Sequence, residues 1–374
     1  MREITEILRA YSEAKKANKK TALATVVKVE GSSYRQPGAR MLVTEDGNLT
    51  GAISGGCLEG DALRKALLAI NQQQNKLITY NTSNENDSEV GLQLGCNGIV
   101  HILFEYIDDN IQNNPIKLLQ ELKWERKGAV VGTLFSLKRN AAQIGTILFY
   151  RENQPFLFQN DIALNIFSEV KDTLQYKTSI IKKIEDNNEN EALLEYINPP
   201  VSIVIIGAGN DVQPLAKMAE ILGWEITVGE GRATHATQKR FPEAKQVFVS
   251  KPEQLLENIT IDDQVYFVLI THNYKYDLAM LKLLLETNCT YIGILGPKTK
   301  LNRMLDDLQN EGITINEEQL NRIYGPIGLD IGAETSEEIA LSIIAEIKAV
   351  ISARKGTSLK FKTEKIHNTT VYER

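Results

Sequence analysis

The sequence predicts an α/β fold in two parts: a mixed α/β N-terminal domain and a C-terminal domain on a parallel sheet. Residues 201–206 form an unbroken apolar run, as a strand buried on both faces requires. Gly207-Ala208-Gly209 follows at once and opens a helical stripe of Val212, Leu215, Ala216, Ala219 and Leu222, stopped by Gly223. Strand, glycine turn and helix in that order start a Rossmann-like βαβ unit. Upstream, β-rich segments joined by short turns alternate with few helices, the pattern of a mixed domain.

At 374 residues the chain has room for two or three domains with full cores. Its formal charge of −6 argues against broad nucleic-acid binding. The N-terminus lacks the apolar core of a signal peptide, and no apolar run is long enough for a membrane span. Three scattered cysteines, Cys57, Cys96 and Cys289, make no disulfide framework, so a reducing cytoplasm is the expected compartment.

In chain order, Ile4, Ile7, Leu8 and Tyr11 predict an amphipathic first helix over 2–17. Residues 21–29 read as a strand. The loop 30–41 carries Gly31, Ser32, Ser33, Gly38 and two arginines, Arg35 and Arg40. Such a loop offers amides and guanidinium forks to a phosphate or carboxylate, or is a plain surface turn. A hairpin through 41–53, turning at 45–48, delivers Ser54, Gly55, Gly56, Cys57, Leu58 and Glu59 at its end. Leu58, Ala62, Leu63, Ala66, Leu67 and Ile70 then repeat at helical spacing, so Cys57 falls at a helix start. Free amides and the helix dipole there favour an anion and lower a thiol's pKa. The plainer alternative is a small residue buried in a tight turn. Strands follow at 76–80 and 99–106, the second after the Gly95-Cys96-Asn97-Gly98 turn, with His101 as a partly buried strand residue.

Residues 1–110 are therefore read as the first domain. A smaller α/β segment, 111–182, is expected to continue its sheet, with a helix over 115–124 and strands at 129–137 and 144–150. The charged, Asn-rich stretch 183–200 reads as a linker ending in Asn198-Pro199-Pro200. The Rossmann-like domain is expected over 201–351. Its second strand, 226–228, ends beside Glu230, where an acid binds ribose hydroxyls. Val212 replaces the third glycine of the fingerprint, and Pro214 enters the first turn. Further strands at 246–249, 266–270 and 290–295 place Thr271-His272-Asn273 and Gly296-Pro297-Lys298 at carboxyl ends, where open sheets bind ligands. The glycine-punctuated loop 325–333 carries one acid, Asp330. Thr335 and Glu338 form a capping box for a last helix, and 352–374 reads as a polar tail.

These blocks carry a resemblance. Gly31-Ser32-Ser33, Pro37-Gly38-Ala39-Arg40-Met41, Gly55-Gly56-Cys57-Leu58-Glu59 and Gly95-Cys96-Asn97-Gly98 resemble the N-terminal domain of the XdhC/CoxI family. Gly207-Ala208-Gly209, Thr271-His272, Gly293-Ile294-Leu295-Gly296 and the run from Gly325 to Ala333 resemble its C-terminal Rossmann domain. Asn210-Asp211-Val212 and Gly229-Glu230-Gly231-Arg232 depart from the family pattern.

The resemblance implies a maturation factor for xanthine dehydrogenase-type molybdoenzymes. Such a factor binds the molybdenum cofactor (molybdopterin), assists its sulfuration by a cysteine desulfurase, and delivers it; a homodimer is expected. On that basis Cys57, with Cys96 second, is the candidate contact to the metal or its exchangeable sulfur. Gly55, Gly56 and Glu59 shape that turn, and Arg35 and Arg40 would meet the cofactor's phosphate. The turn from Gly207 to Gly209, with Glu230 and Asp330, would hold a nucleotide or pterin moiety. The alternative is an NAD(P)-dependent oxidoreductase in which His272 is the acid–base group and Glu230 the ribose ligand. A scaffold without cofactor is the third reading.

Overall fold

A computed structural model of the protein describes residues 1–81, 98–184, 189–363, 366 and 371–373. Cys96 and its turn lie outside the described residues. The chain forms two compact units, Met1–Pro199 joined by the C-terminal strand, and Pro200–Ile366.

The first unit contains two sheets. The first is built from β1 (Thr21–Gly31), β2 (Arg40–Thr44), β3 (Leu49–Gly51), β4 (Lys76–Asn81) and β5 (Gly98–Tyr106), in the order β3-β2-β1-β5-β4 and antiparallel throughout. The second is built from β6 (Ala129–Ser136), β7 (Gly145–Tyr150), β8 (Leu157–Phe158), β9 (Ser179–Lys183) and β10 (Asn190–Ile197). Helices α1 (Arg2–Lys16), α2 (Glu59–Gln72), α3 (Pro115–Gln120), α4 (Ile162–Asn165) and α5 (Phe167–Tyr176) cover them. Side chains alternate across each strand, so every sheet has two faces to bury. Ala22, Ala24, Val26, Ile102 and Phe104 face α2. Leu23 and Leu42 face α1 and α3, together with Ala129, Val131 and Phe149 of the second sheet. Val27 and Leu103 meet Phe135, Ile181 and Leu193, so the two sheets pack against each other.

Three expectations are corrected here. The segment 111–182 does not continue the first sheet. It starts a second one, because β6 is buried along its whole length and pairs with β7 on one side and β10 on the other. The stretch 183–200 is not a linker: eight of its residues are β10, whose Ala192 and Leu194 are core. The polar tail is not wholly tail, since β17 (Val371–Glu373) pairs parallel with β9.

The second unit is a six-stranded parallel sheet. Its strands are β11 (Ser202–Ile206), β12 (Glu225–Glu230), β13 (Gln246–Val249), β14 (Val265–Leu269), β15 (Tyr291–Ile294) and β16 (Ile323–Tyr324). The order β13-β12-β11-β14-β15-β16 is the 3-2-1-4-5-6 order of dinucleotide folds, with its switch point between β11 and β14. Helices α6 (Val212–Ile221), α7 (Pro252–Glu257), α8 (Tyr274–Leu285), α9 (Lys298–Asn310), α10 (Glu317–Asn321) and α11 (Ser336–Ile351) complete it. Ile203, Ile205, Ile226, Val228 and Val268 face α6 and α11. Val204, Ile206, Phe267 and Leu269 face α8 and α9. The α11 capping box forms as the sequence predicts. No described helix is long and apolar enough to cross a membrane.

Candidate functional site

In the first unit the site is a turn between β3 and α2. Ser54 is buried and organises it. Its hydroxyl accepts from the Gly56 and Leu58 amides, each at 3.1 Å, and donates to the Glu59 carboxylate. Glu59 also accepts from the Ser54 amide at 2.9 Å. Glu59 is thus a brace for the turn, and a serine five residues before it was the overlooked signal. The Cys57 thiol points at the Ser54 oxygen at 3.7 Å and is half-buried. Gly55 and Gly56 are exposed. Gly56 has φ +109°, and a Cβ there would meet nothing within 4 Å, so the space above the turn is open. The first turn of α2 carries Glu59 and Asp61, so two carboxylates already answer the positive end of the helix.

The loop from β1 to β2 comes to the same place. Tyr34, 67% exposed, lays its ring over Gly55. The two arginines expected to meet a phosphate are committed elsewhere. Arg35 pairs with Glu3 of α1, which also accepts from the Arg40 amide at 3.0 Å. Arg40 is fully buried and forks onto Glu195 of β10, with Nη2–Oε2 at 2.5 Å and Nη1–Oε1 at 3.2 Å. Burial alone would ease the proton off Arg40; Glu195 outweighs it and keeps the guanidinium charged. Arg40 is therefore an interior partner, and pulling it out to a ligand would strand the largely buried Glu195 carboxylate. The Lys28–Glu191 pair, at 2.9 Å, is a second buried link between the sheets. Between them Glu105 accepts from the Thr146 amide and hydroxyl, and burial pushes its carboxyl up to about 7. His101 bonds Thr79 and Glu30, as a strand residue should, and burial lowers its pKa. A cleft of about 1210 Å³ lies between β4 and the β6–β7 hairpin. Its lining mixes amides such as Gln73, Asn75 and Gln143 with charged groups such as Lys76, Lys138 and Arg139, and includes neither Cys57 nor Tyr34.

In the second unit Gly207, Gly209 and His272 meet at the switch point. Gly207 has φ +137°, and a Cβ there would overlap the Ile270 carbonyl at the end of β14. A Cβ at Gly209 would collide with the Asp211 carboxylate. The Asp211 carboxylate therefore lies beside the glycine turn, where its negative charge would oppose an anion. It pairs with His272, Nε2–Oδ2 at 2.7 Å. His272 has φ +56°. Behind it Thr271 donates to buried Asp277 at 2.6 Å, and Asp277 accepts from Lys300 at 2.7 Å. Asp211, Asp277 and Lys300 were not singled out from the sequence. Their signal was spacing within each helix's first turn, which many structural caps share.

Glu230 ends β12 and is buried. Burial opposes its ionisation, but Arg232 at 2.7 Å and the Gly231 amide at 2.9 Å outweigh that and hold its carboxyl below the usual range. Asp330 is exposed on a loop pinned to α11, where Glu346 accepts from the Gly328 amide and Ser342 donates to the Leu329 carbonyl. No group of three or more His, Cys, Asp or Glu side chains among the described residues could hold a metal ion.

The chain resembles known proteins along nearly its whole length. The family described as XdhC and CoxI matches residues 14–81, and the one described as XdhC Rossmann domain matches 203–347. A protein of Bacillus subtilis (strain 168) named as a probable xanthine dehydrogenase subunit is 31% identical over 337 residues, covering 90% of this chain and 94% of that protein. The molybdenum cofactor insertion chaperone PaoD of Escherichia coli (strain K12) is 22% identical over 344 residues, covering 92% and 87%. The crystal structure of a xanthine dehydrogenase from Bacillus halodurans matches with a TM-score of 0.75 at 29% identity, covering 95% of this chain and 98% of that one.

Proposed function

The chain belongs to the XdhC and CoxI family, and on that premise we propose that it is an accessory factor for a xanthine dehydrogenase-type molybdoenzyme, with the molybdenum cofactor as its cargo. The observation that carries the reading is the half-buried Cys57 thiol on an open glycine turn, inside the segment the family matches. Molybdenum in this cofactor is bound through sulfur, and a thiolate is a soft ligand suited to hold such a group transiently. Cys57 is the contact to the metal or its exchangeable sulfur. Ser54 and Glu59 fix the turn that presents it. Cys96 is the second thiol of the proposal. The arginines do not fit a phosphate clamp, so Arg35 and Arg40 are left out of the cargo site and stand as braces of the loop.

The finer parts of the proposal follow from the family. The factor works in the cytoplasm as a homodimer, takes part in sulfuration of the cargo by a cysteine desulfurase, and delivers it to the apo-enzyme. The test is retention: purified protein is mixed with cofactor released from a molybdoenzyme, excess is removed, and molybdenum and pterin are assayed. Retention that falls in Cys57→Ala supports the reading; equal retention by wild type and variant removes Cys57 from it. A second reading, an NAD(P)-dependent oxidoreductase, is favoured by the strand order and by Glu230 at the end of β12. Asp211 against Gly209 counts against it. Saturable nicotinamide binding with a substrate-dependent absorbance change would establish it.

A further inference from the structure

Tyr34 has a large aromatic ring that the core does not use. It is 67% exposed, although it lies in the segment 30–41, whose neighbours Ala39 and Arg40 are buried. The ring is not loose in solvent on both sides. A Cβ placed on Gly55 would lie 3.4 Å from Cγ of Tyr34 and 3.5 Å from each of Cδ1 and Cδ2. Near-equal distances to those three atoms put Gly55 against the face of the ring, not its edge. One face therefore rests on a residue without a side chain, and with 67% of the residue exposed the rest of the ring is left largely to solvent. Two residues further along the same turn is the Cys57 thiol.

The loop that carries the ring is held in place before any ligand arrives. Gly38 donates to the Val26 carbonyl at 2.8 Å, and the Val26 amide donates to Ala39 at 2.9 Å. Arg35, next to Tyr34, is tied to Glu3. Arg40 donates to the Gly38 carbonyl at 2.8 Å and locks onto Glu195. The two arginines thus serve the loop, and the loop serves the ring. An aromatic face fixed in this way stacks on a flat heteroaromatic group with little ordering cost.

We propose that Tyr34 is the stacking platform for the pterin ring of the cargo held at the Cys57 turn. This rests on the cofactor-carrier reading above. It assigns the pterin, the flat part of the cargo, to Tyr34 and the sulfur-bound metal to Cys57. The two contacts make different demands: stacking needs the ring and no metal, whereas the thiol contact needs the metal.

The experiment uses the full-length protein with two probes, metal-loaded and metal-free molybdopterin, and measures dissociation constants for wild type, Tyr34→Ala, Tyr34→Phe, Tyr34→Trp and Cys57→Ala. Tyr34→Ala weakens both probes about 5- to 100-fold, the range for losing one ring–base stack. Tyr34→Phe stays within about threefold of wild type, since the ring and not the hydroxyl stacks. Tyr34→Trp also binds, and its emission is quenched on binding. Cys57→Ala weakens the metal-loaded probe only. Wild type that binds neither probe overturns the carrier reading, and this role with it. Wild type that binds while Tyr34→Ala matches it, or Tyr34→Phe as weak as Tyr34→Ala, overturns the platform alone.

Discussion

Arg40→Met separates an interior arginine from a ligand-binding one. The substitution keeps most of the buried volume and removes the charge. It leaves the Glu195 carboxylate, whose side chain is only 16% exposed, without the fork that neutralises it. Breaking one side of a buried pair destabilises by roughly 3–5 kcal/mol. The residual exposure of Glu195 lets some water in, so the lower end, about 3 kcal/mol, is expected. At roughly 2–4 °C per kcal/mol for a unit of this size, the melting temperature falls by about 6–12 °C. Urea unfolding followed by far-UV circular dichroism reads the free energy directly. The double variant Arg40→Met with Glu195→Met recovers much of the loss, because no uncompensated charge remains. A stability change under about 1 kcal/mol in Arg40→Met, combined with loss of cofactor retention, would refute the reasoning and return Arg40 to the ligand.

Other perturbations test neighbouring parts of the molecule. Glu105 is held protonated by burial, with its carboxyl at about 7 against about 4.3 for a free chain. Between those values the folded state keeps a proton that the unfolded chain has released. Its contribution to stability is therefore full below about pH 4, declines as pH rises toward 7 by at most ~1.4 kcal/mol per unit, and is level above. Glu105→Gln removes that decline, which urea midpoints at pH 5 and pH 7.5 measure. Gly207→Ala, at φ +137° and against the Ile270 carbonyl, destabilises by about 2 kcal/mol or more whether or not a nucleotide is present, a loss that thermal melts with and without nicotinamide cofactor would show unchanged. Ser54→Ala removes the acceptor of two turn amides and lowers stability by about 1 kcal/mol. It also speeds cofactor release, measured by gel filtration at timed intervals.

What the sequence made legible was mostly local. The apolar run of β11, the glycine turn after it and the Thr335–Glu338 capping box each depend on residues a few positions apart, and each forms as expected. What escaped was pairing across long separations. β10 looked like linker because Asn190, Glu191 and Glu195 surround its apolar centre. Those acids are interior partners, Glu191 of Lys28 and Glu195 of Arg40. The acids that make β10 read as a linker are also what commits Arg40 to the interior rather than to a phosphate. Charges are read as surface by default, and only the fold shows which of them meet inside. The Cys57 turn was legible as glycines around a thiol. Its brace, Ser54, was not, because a serine announces nothing until its hydroxyl is seen between two amides and a carboxylate.

The most direct test of the central claim is molybdenum and pterin retained per chain after mixing with released cofactor, for wild type and Cys57→Ala side by side. The predicted result is near-stoichiometric retention by wild type and a clear fall in the variant, with both proteins equally folded. No retention by wild type would contradict it.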